Sequence, residues 1–210
     1  MRSYLFKTPT LLKRLYPGLI WDKYQKGDKS IYLTFDDGPI PEVTPWVLEQ
    51  LAAADVKATF FVVGDNVRKY PEILREVIAR GHQIGNHTFN HLNGWKTKDD
   101  DYLANVTECD EVLKAQGVDT KLFRPPYGNI RRSQVTKLKD AYDIVMWDYL
   151  TGDFDQKLSA TRLIYNFKRK IVPGSVVVFH DNVKSFDVLQ EALPEFLSYF
   201  KKQGYHFSTL

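Results

Sequence analysis

Cysteine is nearly absent from this 210-residue chain. Cys109 stands alone, so no disulfide can close within the chain, and redox chemistry gives no compartment. It falls at helical spacing with Tyr102, Val106 and Leu113, which reads as a packed thiol rather than a nucleophile. A charge excess is missing too: 29 Lys and Arg against 26 Asp and Glu leave +3, no warrant for nucleic acid binding. No apolar run reaches the roughly 18 residues that a membrane-spanning helix needs. Repeats, low-complexity tracts and Ser/Gly-rich linkers are also lacking, so the length implies one domain with a sizeable core. What is present, 43% hydrophobic and 26% charged residues, is ordinary for a soluble globular protein.

Residues 1–25 read as a basic and apolar extension carrying Arg2, Lys7, Lys13 and Arg14. Pro9, Lys13, Arg14 and Pro17 interrupt its apolar residues, so the uninterrupted core of a secretory signal is missing. The extension is expected to pack on the domain, or to touch a membrane surface through Leu11–Leu15. A cytoplasmic or peripherally membrane-associated protein is the matching expectation, with export by an atypical route as the alternative.

The chain is organised around Thr34-Phe-Asp-Asp-Gly-Pro39, which follows the apolar run Ile31–Leu33. Two carboxylates stand where a buried strand ends, and the Gly-Pro turn lets both reach one pocket. A bland alternative leaves Asp36 solvated and has Asp37 cap the next helix. Downstream the pattern alternates. Helices are predicted over 44–54, from Pro71 to Gly81, and over 99–116, 131–140, 159–170 and 185–202, the last kinked at Pro194. Apolar strands are predicted at 58–63, 83–86, 122–123, 144–147, 175–179 and 206–210. Seven strand–helix units with near-continuous apolar strands argue for a parallel sheet closed into a barrel over residues 26–210. Asp36/Asp37, His87/His91, Arg124, Asp153 and His180 all follow the C-terminal ends of different strands, which a parallel barrel gathers on one face.

His87-Thr-Phe-Asn-His91 carries two imidazoles at a spacing that, on a helical turn, puts both on one metal. One carboxylate from Asp36/Asp37 completes two His and one Asp, leaving a tetrahedral ion one open position. His82 and His206 have no such context and are read as structural.

Five segments, Thr34–Pro39, His87–His91, Arg124–Gly128, Trp147–Phe154 and Val176–Asp181, together resemble the motifs of polysaccharide deacetylases, the NodB-homology group or carbohydrate esterase family 4. They occur in the family's order. The resemblance implies an α/β fold, a distorted (β/α)7 barrel in a single domain, and removal of acetyl groups from N-acetylated amino sugars of a chitin or peptidoglycan type. It implies one divalent metal, most simply Zn2+, held by Asp37, His87 and His91, with Co2+ or another divalent ion as an alternative. Asp36 becomes the base, Arg124 its partner, His180 the acid and Asp153 the support of His180. The backbone N–H of Tyr127 becomes an oxyanion donor. Pro126, Trp147, Phe154 and Val178 become the substrate pocket, and Thr88 supports His91.

Phe154 stands where the family usually has Trp, which alters the pocket wall and removes an indole N–H. Asp148 and Asp155 compete with Asp153 as partner of His180. The implied partner is an N-acetylated glycan, with no nucleic acid, no transmembrane segment and no heptad signature of an oligomer. Two rivals stand beside this reading: the same site acting on a non-sugar amide, and a glycan-binding module without catalysis. The second predicts damaged motifs, and Asp36, Asp37, His87, His91, Arg124 and His180 are all present.

Overall fold

The computed structural model describes residues 5–210. In chain order the elements are α1 (Thr10–Leu15), β1 (Ser30–Asp36), α2 (Val43–Ala53), β2 (Thr59–Val62), α3 (Gly64–Lys69), α4 (Pro71–Ala79), β3 (Gln83–Asn86) and α5 (Asp99–Ala115). Then follow β4 (Leu122–Phe123), α6 (Arg132–Leu138), β5 (Asp143–Ile144), β6 (Tyr149–Leu150), α7 (Ala160–Lys170), β7 (Val176–His180), α8 (Phe186–Lys202) and β8 (His206–Ser208).

All strand pairings are parallel, in the order β5-β4-β3-β2-β1-β7-β6, with β8 added to the start of β1. The fold is the expected single-domain α/β distorted barrel: the sheet curls, but its edge strands β5 and β6 do not pair with each other. The stretch before β1 binds these edges. Leu150 N–H donates to Phe6 O (2.8 Å), Thr8 N–H to Asp148 O (2.9 Å) and Met146 N–H to Ile20 O (2.7 Å). Lys7 and Lys13 both reach the buried Asp148 carboxylate, which also accepts from the Ser175 hydroxyl.

Strand β1 explains how the layers form. Ile31, Leu33 and Phe35 point outward into the core shared with Val47, Leu51 and Phe196 of the covering helices. Tyr32, Thr34 and Asp36 alternate with them and face the barrel interior, where Tyr32 packs with Phe61, Leu122 and Val176. Cys109 is buried, its thiol pushed up to about 12 by that burial.

Helix periodicity located six of the helices within a residue or two. α3 is too short for a periodic signal. The predicted strand 144–147 is shorter, and the chain turns to start β6 two residues later, giving one strand more than the seven expected. α8 runs through Pro194 without a break. Among the described residues, no helix is long and apolar enough to cross a membrane.

Candidate active site

The ladder between β1 and β7 sets Asp36 directly opposite His180. In-register neighbours on parallel strands point to the same face, so both side chains project from the C-terminal rim. Asp37 follows with φ at 88°, a left-handed turn that brings the second carboxylate back to the same rim, and it does not cap α2.

Asp181, next to His180, fixes that turn. Its carboxylate accepts from Gly38 N–H (3.0 Å) and from the Thr44 hydroxyl (2.6 Å), and the Thr44 oxygen accepts from Ile40 N–H. A Cβ on Gly38 would lie 2.0 Å from Asp181 Oδ2, so no other residue fits there. Burial among these groups pushes the Asp181 carboxyl up to about 8.

His87 and His91 occupy a loop rather than the helical turn that their spacing suggests. Thr88 and His91 have φ of 64° and 56°. Side-chain amides capture the N–H groups a helix would use: Asn86 Oδ1 takes Thr88, and Asn105 Oδ1 from α5 takes Phe89 and Asn90. The Thr88 hydroxyl accepts from Leu92 N–H (3.1 Å), bracing the turn that presents His91. The rings still converge, with centroids 5.0 Å apart.

The ligating atoms of Asp37, His87 and His91 lie within 4.8 Å of one another. His87 Nδ1 lies 2.7 Å from Arg124 O, so it carries the proton and leaves the Nε2 lone pair facing Asp37 Oδ1 at 3.7 Å. His91 Nε2 lies 3.1 Å from the same oxygen, and its Nδ1 lies 3.1 Å from the Tyr127 hydroxyl. Burial pushes the His87 imidazole down to about 4, outweighing Asp36 and Asp37, so it is neutral at physiological pH. Asp37 Oδ1 is buried and has no hydrogen-bond partner among the described residues, whereas Oδ2 accepts from Asn182 Nδ2 (2.6 Å). Although burial opposes its ionisation, His91, His180 and His87 hold the Asp37 carboxyl well below the usual carboxylate range. An unpartnered anionic oxygen facing a neutral imidazole lone pair is the donor set that a divalent cation fits.

Arg124, at the end of β4, crosses the barrel interior to Asp36 Oδ1 (2.6 Å) and Thr34 Oγ1 (2.7 Å). Its remaining donors go to the carbonyls of Val145 (3.3 Å) and Met146 (3.0 Å), and the guanidinium lies 4.1 Å above the Phe61 ring. Each nitrogen of this fully buried cation is therefore engaged, which fixes Asp36 in one rotamer.

On the other flank, His180 Nδ1 meets Asp153 Oδ1 at 2.7 Å, while Asp153 Oδ2 accepts the His180 backbone N–H (2.7 Å). Asp148 lies elsewhere, bound to Lys7 and Lys13. Burial opposes charge on His180, but Asp153, then Asp37 and Asp36, raise it to about 9. The Phe154 ring stands edge-on to the imidazole, centroids 5.0 Å apart.

A cavity of about 1600 Å³ opens above these groups, lined by Trp147 and Phe154 among others. Pro126 and Val178 are buried; among the described residues they are not part of its lining. Asn182 and Asp181 have structural contacts that sequence reading missed. Asp181 lay inside the fifth motif, and Asn182 carries no signal beyond following it. His82 is buried, its Nδ1 accepting from Ala58 N–H (3.2 Å), and His206 is exposed on β8.

Known proteins resemble this chain along most of its length. The peptidoglycan-N-acetylglucosamine deacetylase of Bacillus cereus is 36% identical over 194 residues, 89% of this chain and 68% of that protein. The chitooligosaccharide deacetylase of a Bradyrhizobium strain is 32% identical over 158 residues, covering 74% of this chain and 72% of its own. The crystal structure of a peptidoglycan N-acetylglucosamine deacetylase matches with a TM-score of 0.88 at 32% identity, over 96% of this chain and 95% of that one. The polysaccharide deacetylase family model matches residues 23–143, more than half of the chain, and the chain belongs to that family.

Proposed function

We propose that this protein is a metal-dependent hydrolase that removes the acetyl group from N-acetylated amino sugars of a glycan. The observation that carries the reading is the unpartnered buried Asp37 oxygen facing His87 and His91, flanked by Asp36 on one side and His180 on the other. Asp37, His87 and His91 would hold the divalent ion, most simply zinc, which supplies Lewis acidity toward the acetamide carbonyl and acidifies water.

The chain's own groups do the rest. Asp36, oriented by Arg124, takes one proton from the water that attacks the acetyl carbon. The backbone N–H of Tyr127, a residue with φ of 61°, would donate to the oxyanion. His180, kept protonated by Asp153, gives its proton to the departing nitrogen as the C–N bond breaks, leaving acetate and a free amine.

Within this substrate class, the charge around the cavity favours an acidic glycan of the peptidoglycan kind over a neutral chitin oligomer. Lys96, Arg132 and Lys184 line it, and no ion pair among the described residues neutralises them; Asp36 and Asp37 are its only acidic lining residues.

The test is acetate release by chelator-stripped protein before and after zinc is restored, on peptidoglycan fragments, chitin oligomers and small cyclic amides. Activity on a glycan that returns with zinc and is lost in Asp36→Asn is expected, by about 10²–10⁴-fold for an acid–base residue. Turnover of the cyclic amides alone moves the substrate outside sugars. Zinc binding without turnover of any substrate leaves a binding module and overturns the reading.

A further inference from the structure

At about 1600 Å³ the cavity exceeds the roughly 300–1,000 Å³ that encloses a typical small ligand, so a single acetylated sugar leaves much of it unfilled. Part of its wall comes from outside the barrel. Leu5, Pro9, Leu12, Tyr16, Leu19 and Trp21 line it, and all precede the residues matched by the family model.

This stretch is held firmly. Besides the Leu150–Phe6, Thr8–Asp148 and Met146–Ile20 bonds, the Thr8 hydroxyl donates to Trp147 O (2.7 Å) and Ile20 N–H to Ile144 O (2.9 Å). Leu19 and Trp21 are buried by this attachment, yet Leu5 stays 61% and Leu12 37% exposed. Fixed apolar side chains left open along a catalytically equipped cavity mark a binding surface rather than a core.

Other parts of the lining offer matching chemistry. Trp95 is 60% exposed, with its indole N–H tied to Ile130 O (3.0 Å) so that the ring is held in place. The Arg132 guanidinium lies 5.7 Å from the Tyr16 ring centroid, joining the N-terminal wall to the α6 side. Aromatic and aliphatic faces beside a cation suit pyranose rings, which present apolar C–H faces and polar edges.

We propose that residues 5–21, with Arg132 and Trp95, form a subsite for the sugar units flanking the one that is deacetylated, making the enzyme selective for longer glycan chains. The inference rests on the glycan reading above, and it concerns residues to which no motif assigns a role. Leu12 and Arg132 are both exposed, so Leu12→Ser and Arg132→Gln leave the packed structure intact.

The experiment compares zinc-loaded wild type with these variants on N-acetylglucosamine oligomers from the dimer to the hexamer. In wild type kcat/KM is expected to rise with length. Each variant is expected to lose about tenfold on the hexamer, through KM, with the dimer unchanged. Equal losses on dimer and hexamer, or a length profile that follows wild type, would overturn the subsite. Calorimetric titration of the hexamer into metal-free protein separates this from the proposed function. Binding that weakens in the variants upholds the subsite even if no oligomer releases acetate, whereas loss of turnover with unchanged binding defeats it.

Discussion

Asp36 closes β1 and Asp148 stands at the start of β6; both are buried, and both are bound by cations from distant parts of the chain. Their partners differ. Asp36 has one guanidinium with no exposed surface, itself locked by two backbone carbonyls and a threonine hydroxyl. Asp148 has two lysines that keep 33% and 19% of their side chains in contact with water. A planar, desolvated cation sets the direction of a carboxylate, whereas flexible ammoniums on partly hydrated stems hold two segments together. The first arrangement suits a group that must meet a reacting atom, the second a fastening.

The largest expected effect comes from removing the rigid partner. Arg124→Leu leaves Asp36 buried without a counter-charge and is expected to cost about 3–5 kcal/mol of stability, read by urea unfolding, along with activity. Adding Asp36→Asn should recover much of that stability but none of the activity. If the double variant is no more stable than the single one, the two groups are not coupled.

Asp148→Ala comes next, at about 1–3 kcal/mol, because its lysines can turn to water. It should free residues 5–21 to limited proteolysis while leaving acetate release from a disaccharide within about twofold. A variant inactive on short substrates would break the contrast. This pair also has a pH signature. Burial opposes the Asp148 charge, but Lys13, Lys7 and Ser175 hold its carboxyl below the usual value. Its contribution is therefore full at neutral pH and fades as pH falls below about 4, where the wild-type and Asp148→Ala melting curves should approach each other.

Asp181 sharpens the comparison as a buried carboxyl group with no cationic partner among the described residues. Asp181→Ala removes the acceptors for Gly38 N–H and Thr44 and should weaken zinc binding about 10–100-fold in a chelator competition, with the fold retained. Asp181→Asn, whose amide oxygen can still take the Gly38 N–H, should lose far less. Equal affinities in all three proteins would confine Asp181 to a packing role.

The smallest effect belongs to His82, buried beside Phe60 and pushed down to about 4 by burial, aided by Lys57 and Arg80. The folded imidazole stays neutral while the unfolded chain takes a proton below about 6.5, so stability should fall by on the order of 1 kcal/mol between pH 6.5 and 4. His82→Gln should flatten that slope.

What the sequence disclosed follows the same physical divide. β1, β2 and β7 are central strands buried on both faces, and their continuous apolar residues gave their ends to within a residue or two. The rim residues Asp36, His87 and His180 were therefore placeable by counting. Strand β4 was placed at 122–123, but the edge strands β5 and β6 have two residues each, too few for a period to register, and Trp147 in the turn before β6 was read as part of a strand. The His87–His91 loop misled because its backbone partners, Asn86 and Asn105, are set by tertiary contacts and leave no trace in local spacing. The same holds for Asn182 on Asp37 and for the N-terminal stretch lining the cavity, since contacts between residues more than 100 positions apart have no local signature.

The pairing of Asp36 with His180 across β1 and β7 has a consequence for how this scaffold can diversify. Adjacent strands lie about 4.8 Å apart, a spacing dictated by peptide geometry and indifferent to side-chain identity. The interval between the two proton-handling groups is thus built into the ladder like a gauge block, and a one-residue slip would swing His180 to the outer face rather than adjust it. Loops and the N-terminal wall can change freely around that gauge, so new substrates call for new surroundings while the acid–base interval stays as it is.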